Sequence, residues 1–102
     1  MRLRVIRILG RKYRLYRRKL KGLVGEADLN KGDITIVPGM EEFDLRDAVL
    51  HECMHAILYQ QGYSNEYEAE ELYVRPLATG IIALLQDNPE LAAWLIAPIE
   101  RK

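Results

Sequence analysis

The chain has 102 residues, 49% hydrophobic and 29% charged, with fifteen Lys or Arg balanced by fifteen Asp or Glu. That suits one domain with one modest core, residues 1–102, of ordinary globular composition. No apolar run approaches the roughly 18 residues that cross a membrane, and the single cysteine, Cys53, has no partner for an internal disulfide.

The basic start, "MRLRVIRILGRKYR", lacks a continuous apolar stretch and a small-residue cleavage site. No signal peptide is expected, and with one cysteine the reading is cytoplasmic. Residues 1–25 carry ten Arg or Lys and no acid, whereas the rest carries five bases and fifteen acids. Such a split allows a nucleic-acid or acidic partner, but a solvated outer face of a β-hairpin is the simpler expectation.

In chain order, "RLRVIRIL" (2–9) is rich in leucine and β-branched residues and reads as a strand. "GRK" (10–12) offers a turn, and "YRLYRRK" (13–19) alternates as a second strand. "GLVGEADL" (22–29) is a third candidate and "ITIV" (34–37) a fourth, ended by Pro38-Gly39. "NKGD" between the last two predicts a hairpin.

The second half reads as helical. Asp44, with Asp47 three residues on, resembles a capping box. Leu50, Met54, Ile57, Leu58 and Gln61 follow a helical spacing up to Gly62. Ser64 or Asn65 is positioned to cap a second helix, with a stripe of Val74, Leu77, Ala78, Ile81, Leu84 and Leu85 ending near Asp87. Pro76 lies inside that stripe and crowds the carbonyl of Leu72, predicting a kink or a fresh start. "DNPEL" (87–91) stops and restarts the chain, with Asn88 as cap and Pro89 at the first position of a third helix reaching Pro98. The class is therefore α+β: a small antiparallel or mixed sheet of three to four strands with two longer helices and a short C-terminal one.

The informative stretch is "VLHECMHAIL" (49–58), which contains His-Glu-x-x-His and the only two histidines of the chain. A helical residue advances about 100°, so His51 and His55 lie about 40° apart on successive turns and can reach one metal ion. Glu52 flanks that face, where its carboxylate can meet a metal-bound water. Zinc (Zn2+) suits this donor set, and a glutamate so placed is a general base for peptide hydrolysis. Cys53 falls roughly opposite and reads as a core residue. Two satisfied histidines on a packed helix are the alternative.

A catalytic zinc takes a third protein ligand. The pattern with Gly and His at 58 and 61 is excluded, because Leu58 and Gln61 stand there. The next helix offers Glu66, Glu68, Glu70 and Glu71. Tracing the stripe back from Val74 favours Glu70 and Glu71 over the other two and does not separate them. An acidic helix start also suits the helix dipole with no metal at all. Tyr67 and Tyr73 could offer a phenol to an oxyanion, although surface packing accounts for either.

"AVLHECMHAIL", a following glycine and "EELYVRPLATGIIALLQDNPEL" resemble small phage- or prophage-type relatives of the ImmA/IrrE family of zincin-like metallopeptidases, over about residues 22–97. The resemblance implies a minimal zincin-like fold, with His51 and His55 as zinc ligands, Glu52 as catalytic base and Glu71, three before Val74, as third ligand. The basic strands at the start depart from larger members, which have an extra N-terminal helix. Two functions are thus expected to compete. One is a zinc-dependent peptidase acting on a protein or peptide laid along an edge strand, expected to be "DITIV". The other is a non-catalytic module binding a protein or nucleic acid through the basic hairpin.

Overall fold

The computed structural model describes residues 3–63 and 67–99. They form four strands, β1 (Val5–Ile8), β2 (Arg11–Arg17), β3 (Gly25–Asp28) and β4 (Asp33–Ile36), followed by α1 (Glu42–Gln60), α2 (Tyr67–Asp87) and α3 (Pro89–Ile96). The α+β class and the mixed sheet agree with the sequence.

The β1–β2 turn is Leu9-Gly10, not residues 10–12. Both residues have positive φ, 49° and 85°, as a two-residue turn matched to strand twist requires. Leucine rarely adopts this conformation. The predicted β3–β4 hairpin is present, with Asp28 opposite Asp33. Its turn is fastened by the Lys31 amide donating to Asp28 Oδ1 at 3.1 Å. Arg11 also donates to the Leu29 and Asn30 carbonyls at 2.8 and 2.9 Å.

The strand order is β1-β2-β4-β3, with β2 and β4 parallel. This corrects the expectation for "DITIV": β4 is interior, bonded on both sides, and cannot accept an added strand. The free edges belong to β1 and β3.

One sheet face packs on α1. Ile8, Tyr13, Leu15, Ile34 and Ile36 meet Leu45, Ala48 and Ala56. Lys12, Arg14 and Arg17 are exposed, and Arg18 stacks on the Tyr16 ring at 4.0 Å. Alternation on a one-sided sheet accounts for this arrangement.

The helix α1 starts at Glu42 with Glu41 as cap and no side-chain capping bond, so Asp44 lies in the first turn. There it favours the helix dipole without closing the predicted box. At the far end Gly62 (φ 79°) closes a Schellman motif, Gly62 N–H to the Tyr59 carbonyl and Tyr63 N–H to the Leu58 carbonyl. Buried α1 residues are Leu45, Ala48, Glu52, His55 and Ala56. The predicted line of Leu50, Met54, Ile57 and Leu58 is half-buried, because α1 lies between the sheet and α2 and is apolar towards both.

The helix α2 runs through Pro76 without restarting. Leu72 and Pro76 are both exposed, so water can serve the carbonyl that the proline leaves unbonded. Val74 and Ala78 are buried, whereas Leu77 and Leu84 are about half exposed. The expected caps Ser64 and Asn65 fall outside the described residues, as do Glu66 and the side chains of Tyr67 and Glu68.

Candidate metal centre

Three donor atoms converge where α1 crosses α2. His51 Nε2 lies 2.8 Å from Glu71 Oε1, His55 Nε2 lies 2.5 Å from the same oxygen, and the two Nε2 atoms are 3.2 Å apart. The imidazoles come from successive turns of α1, and Glu71 enters from the first turns of α2.

His55 is fixed from behind. Its Nδ1 lies 2.6 Å from Glu70 Oε1. Glu70 and His55 are buried, at 8% and 6% exposure. An ionised carboxylate only accepts, so Nδ1 carries the proton and donates to Glu70. In the neutral ring, Nε2 then presents a lone pair to the point shared with His51 and Glu71.

That chemistry tests the fit to a metal. A neutral-imidazole lone pair and a carboxylate oxygen repel at 2.5 Å unless a cation or a shared proton lies between them. A proton would make His55 an imidazolium between two carboxylates. A tetrahedral zinc at 2.0–2.1 Å would set its donors about 3.3 Å apart. The present triangle reaches that spacing if Glu71 withdraws by about 0.8 Å. Two histidines and one carboxylate are a known catalytic zinc set. Among the described residues these three form the one group of metal-binding side chains so gathered.

Electrostatics follow the packing. Burial raises the Glu71 carboxyl, but hydrogen bonds from Arg75, His55 and His51 outweigh it and hold the group below its ordinary value. Arg75 Nη2 donates to Glu71 Oε2 at 3.0 Å, leaving Oε1 to face the histidines. Burial works against a charged His55, but the Glu70 and Glu71 hydrogen bonds prevail and raise it.

Glu52 lies on the sheet side of α1, buried to 8% exposure. Burial pushes its carboxyl up to about 7, against the attraction of His55 and with added repulsion from Glu71 and Glu26. Its Oε2 comes within 3.2 Å of where a β-carbon on Gly25 would stand. The edge strand therefore needs glycine there to make room for it.

His51, Glu52 and Glu71 open onto a cleft of about 540 Å³ walled by Leu23, Val24 and Gly25 before and in β3, by Asp44, Asp47 and Ala48 of α1, and by Arg75 of α2. Thr79 donates to both Asp47 oxygens at 3.0 and 3.1 Å and ties the helices together. Tyr73 does not line this cleft. It is 68% exposed on another side of α2, in a groove with Leu50 and Met54. Cys53 packs against the core, and burial pushes its thiol up to about 11.

The structure thus gathers His51, Glu52, His55 and Glu71. The roles of Glu70 and Arg75 were missed. Adjacent glutamates on one helix differ by about 100°, so a single metal makes them look like rivals. A buried histidine with two ring nitrogens can use both. No protein family, curated protein or solved structure matches the chain.

Proposed function

We propose that the protein is a small zinc-dependent peptidase of the zincin-like type, akin to the ImmA/IrrE family that its sequence resembles. The observation that carries this reading is the convergence of His51 Nε2, His55 Nε2 and Glu71 Oε1 beside the buried Glu52, at the floor of an open cleft. His51, His55 and Glu71 would hold the zinc. Zinc, when bound, supplies an acidified water and polarises a carbonyl.

The chain's own groups do the rest. Glu52, whose carboxyl burial raises to about 7 in the metal-free chain, is placed to take the proton of the attacking water and deliver it to the leaving amine. Glu70 holds the His55 ring with its Nε2 inward. Arg75 keeps one oxygen of Glu71 occupied. A peptide strand would add to the free edge of β3, the strand that lines the cleft, rather than to β4. Purified protein should contain one zinc per chain and hydrolyse peptides, and His51→Ala should lose both. Full zinc content with no hydrolysis of any unfolded protein or peptide library would favour the non-catalytic module.

A further inference from the structure

The helix α3 is out of place by its composition. Seven of its eight residues, "PELAAWLI", are apolar, and none is buried. Trp94 is 73% exposed, Leu95 56% and Ile96 83%, and Ile99 beyond the helix is 85% exposed. Among the described elements, α3 packs only on α2. A helix apolar on every side belongs in an interior.

The same chain carries a groove of the same chemistry. It is about 840 Å³, walled by Leu3 and Val5 at the free β1 edge, Val49 and Leu50 of α1, and Ile82 and Leu85 of α2. We infer that α3 lies in this groove of a second copy of the chain, forming a two-fold dimer with exchanged arms.

Three observations select that occupant. The first is position: Leu85 and Gln86 line the groove at the last turn of α2, directly before α3 begins at Pro89. A two-fold axis beside that turn places each arm over the other copy's groove, and an isologous contact closes on itself. The second is area. Trp94, Leu95, Ile96 and Ile99 expose on the order of 500 Å² per arm. Two arms and the walls they cover bury up to roughly 2,000 Å², within the range of about 1,200–2,000 Å² of a stable interface. The third is charge. Arg7, Arg46 and Glu42 rim the groove, with Arg46 bonded to Glu42 at 3.1 Å, which leaves the rim net positive through Arg7, while Asp87 and Glu90 are the charged residues at the root of the arm. The other apolar groove, between α1 and α2, is lined by no Lys or Arg, and its one charged lining residue, Glu70, is engaged by His55, so it offers the arm's acids no cation. A membrane surface is the poorer match, because interfacial helices carry a Lys- or Arg-rich face and α3 carries only Glu90.

The sole tryptophan, Trp94, reports the event directly. The full chain at micromolar concentration should sediment at twice the chain mass. Its emission should be that of a buried indole and move to the red on dilution with the same midpoint. Trp94→Asp in the arm and Val5→Asp in the groove replace exposed residues, so each should stay folded by circular dichroism, retain its zinc content and sediment as a monomer. A mixture of the two should recover partial dimer through the one intact arm and groove. A monomer with exposed indole at all concentrations overturns the inference. So does a Val5→Asp protein that still dimerises, which would mean arm-to-arm packing. Co-sedimentation of a monomer with phosphatidylcholine–phosphatidylglycerol vesicles, lost in Trp94→Asp, also overturns it and assigns α3 to a membrane surface.

Discussion

Glu70 and His55 form a buried pair, Glu70 Oε1 lying 2.6 Å from His55 Nδ1. Neighbouring glutamates on α2 therefore reach the same histidine ring from opposite nitrogens, Glu71 at Nε2 and Glu70 at Nδ1. This changes what either substitution should do. From the sequence, one of the two is a ligand and the other dispensable. With both engaged, Glu70→Ala frees the ring and leaves a buried N–H without that acceptor, which costs about 1–3 kcal/mol.

Glu71→Ala should abolish stoichiometric zinc binding. Glu70→Ala should retain zinc with affinity lowered about 10–100-fold, the usual effect of removing such a supporting carboxylate. Zinc competition with a chromophoric chelator measures both. Equal, unchanged affinity in the two variants would remove α2 from the site.

Metal removal should be felt by the whole fold, because the site joins α1 to α2. Ligand present at about a thousand times its Kd stabilises by about 4 kcal/mol. For a domain of this size each kcal/mol moves Tm by about 4–8 °C. Chelation should therefore lower Tm by more than 10 °C or so in the native chain and leave the Tm of His51→Ala where it was. Differential scanning calorimetry with and without EDTA decides this.

Much of this site was legible in the sequence, for a physical reason. Histidines four apart on one helix are a local pattern, and helix geometry converts it into a shared direction. The turn residues likewise announced the β3–β4 hairpin. What failed was non-local. The interior place of β4 depends on β2 pairing with it in parallel across the intervening β3, and no local pattern records that. The helix α1 read as one stripe because the sequence does not say that it is covered on two sides. Glu70 could be read only as a rival of Glu71, because one residue, about 100° of helix, separates them and the sequence does not show that they meet opposite nitrogens of His55.

Glu52 should be separable from metal binding. Glu52→Gln keeps the shape but takes no proton, so zinc should stay and hydrolysis should fall by at least about a hundredfold. The carboxyl also has a stability signature in chelated protein. Its pKa rises on folding to about 7 from 4.5, so stability is fully present below pH 4.5 and is lost as pH rises through 7. Chelated Glu52→Gln should therefore gain stability relative to the native chain between pH 5 and 8, followed by urea unfolding. No gain across that window would mean that the carboxylate is not desolvated.

Gly25 should be the most sensitive position of the edge strand. A β-carbon there would stand 2.9 Å from Ile36 Cδ1 and 3.2 Å from Glu52 Oε2. Ile36 is fully buried and has little room to yield. Gly25→Ala should hold zinc normally and lose on the order of tenfold in kcat, because a 1 Å displacement of a reacting group can cost more than that. Wild-type turnover in that variant would place the reacting carboxylate elsewhere.

The basic N-terminal segment should divide into structural and solvated residues. Arg11 donates to two carbonyls of the β3–β4 turn, at 2.8 and 2.9 Å, and so joins the two hairpins. Arg11→Ala leaves those carbonyls short of a charged donor and should destabilise by about 1–3 kcal/mol. Arg14 and Arg17 are exposed on the outer sheet face. Reversing both to Glu should change stability by less than about 0.5 kcal/mol each and leave zinc content intact. If that face is only solvated, the native chain should bind duplex DNA negligibly at physiological salt. A nucleic-acid function for the face would instead give tight binding that falls steeply with salt and vanishes on the double reversal, since each phosphate contact releases a counterion. Fluorescence anisotropy of labelled DNA across a salt series distinguishes these outcomes, and salt-sensitive binding lost on reversal would make the hairpin a functional surface.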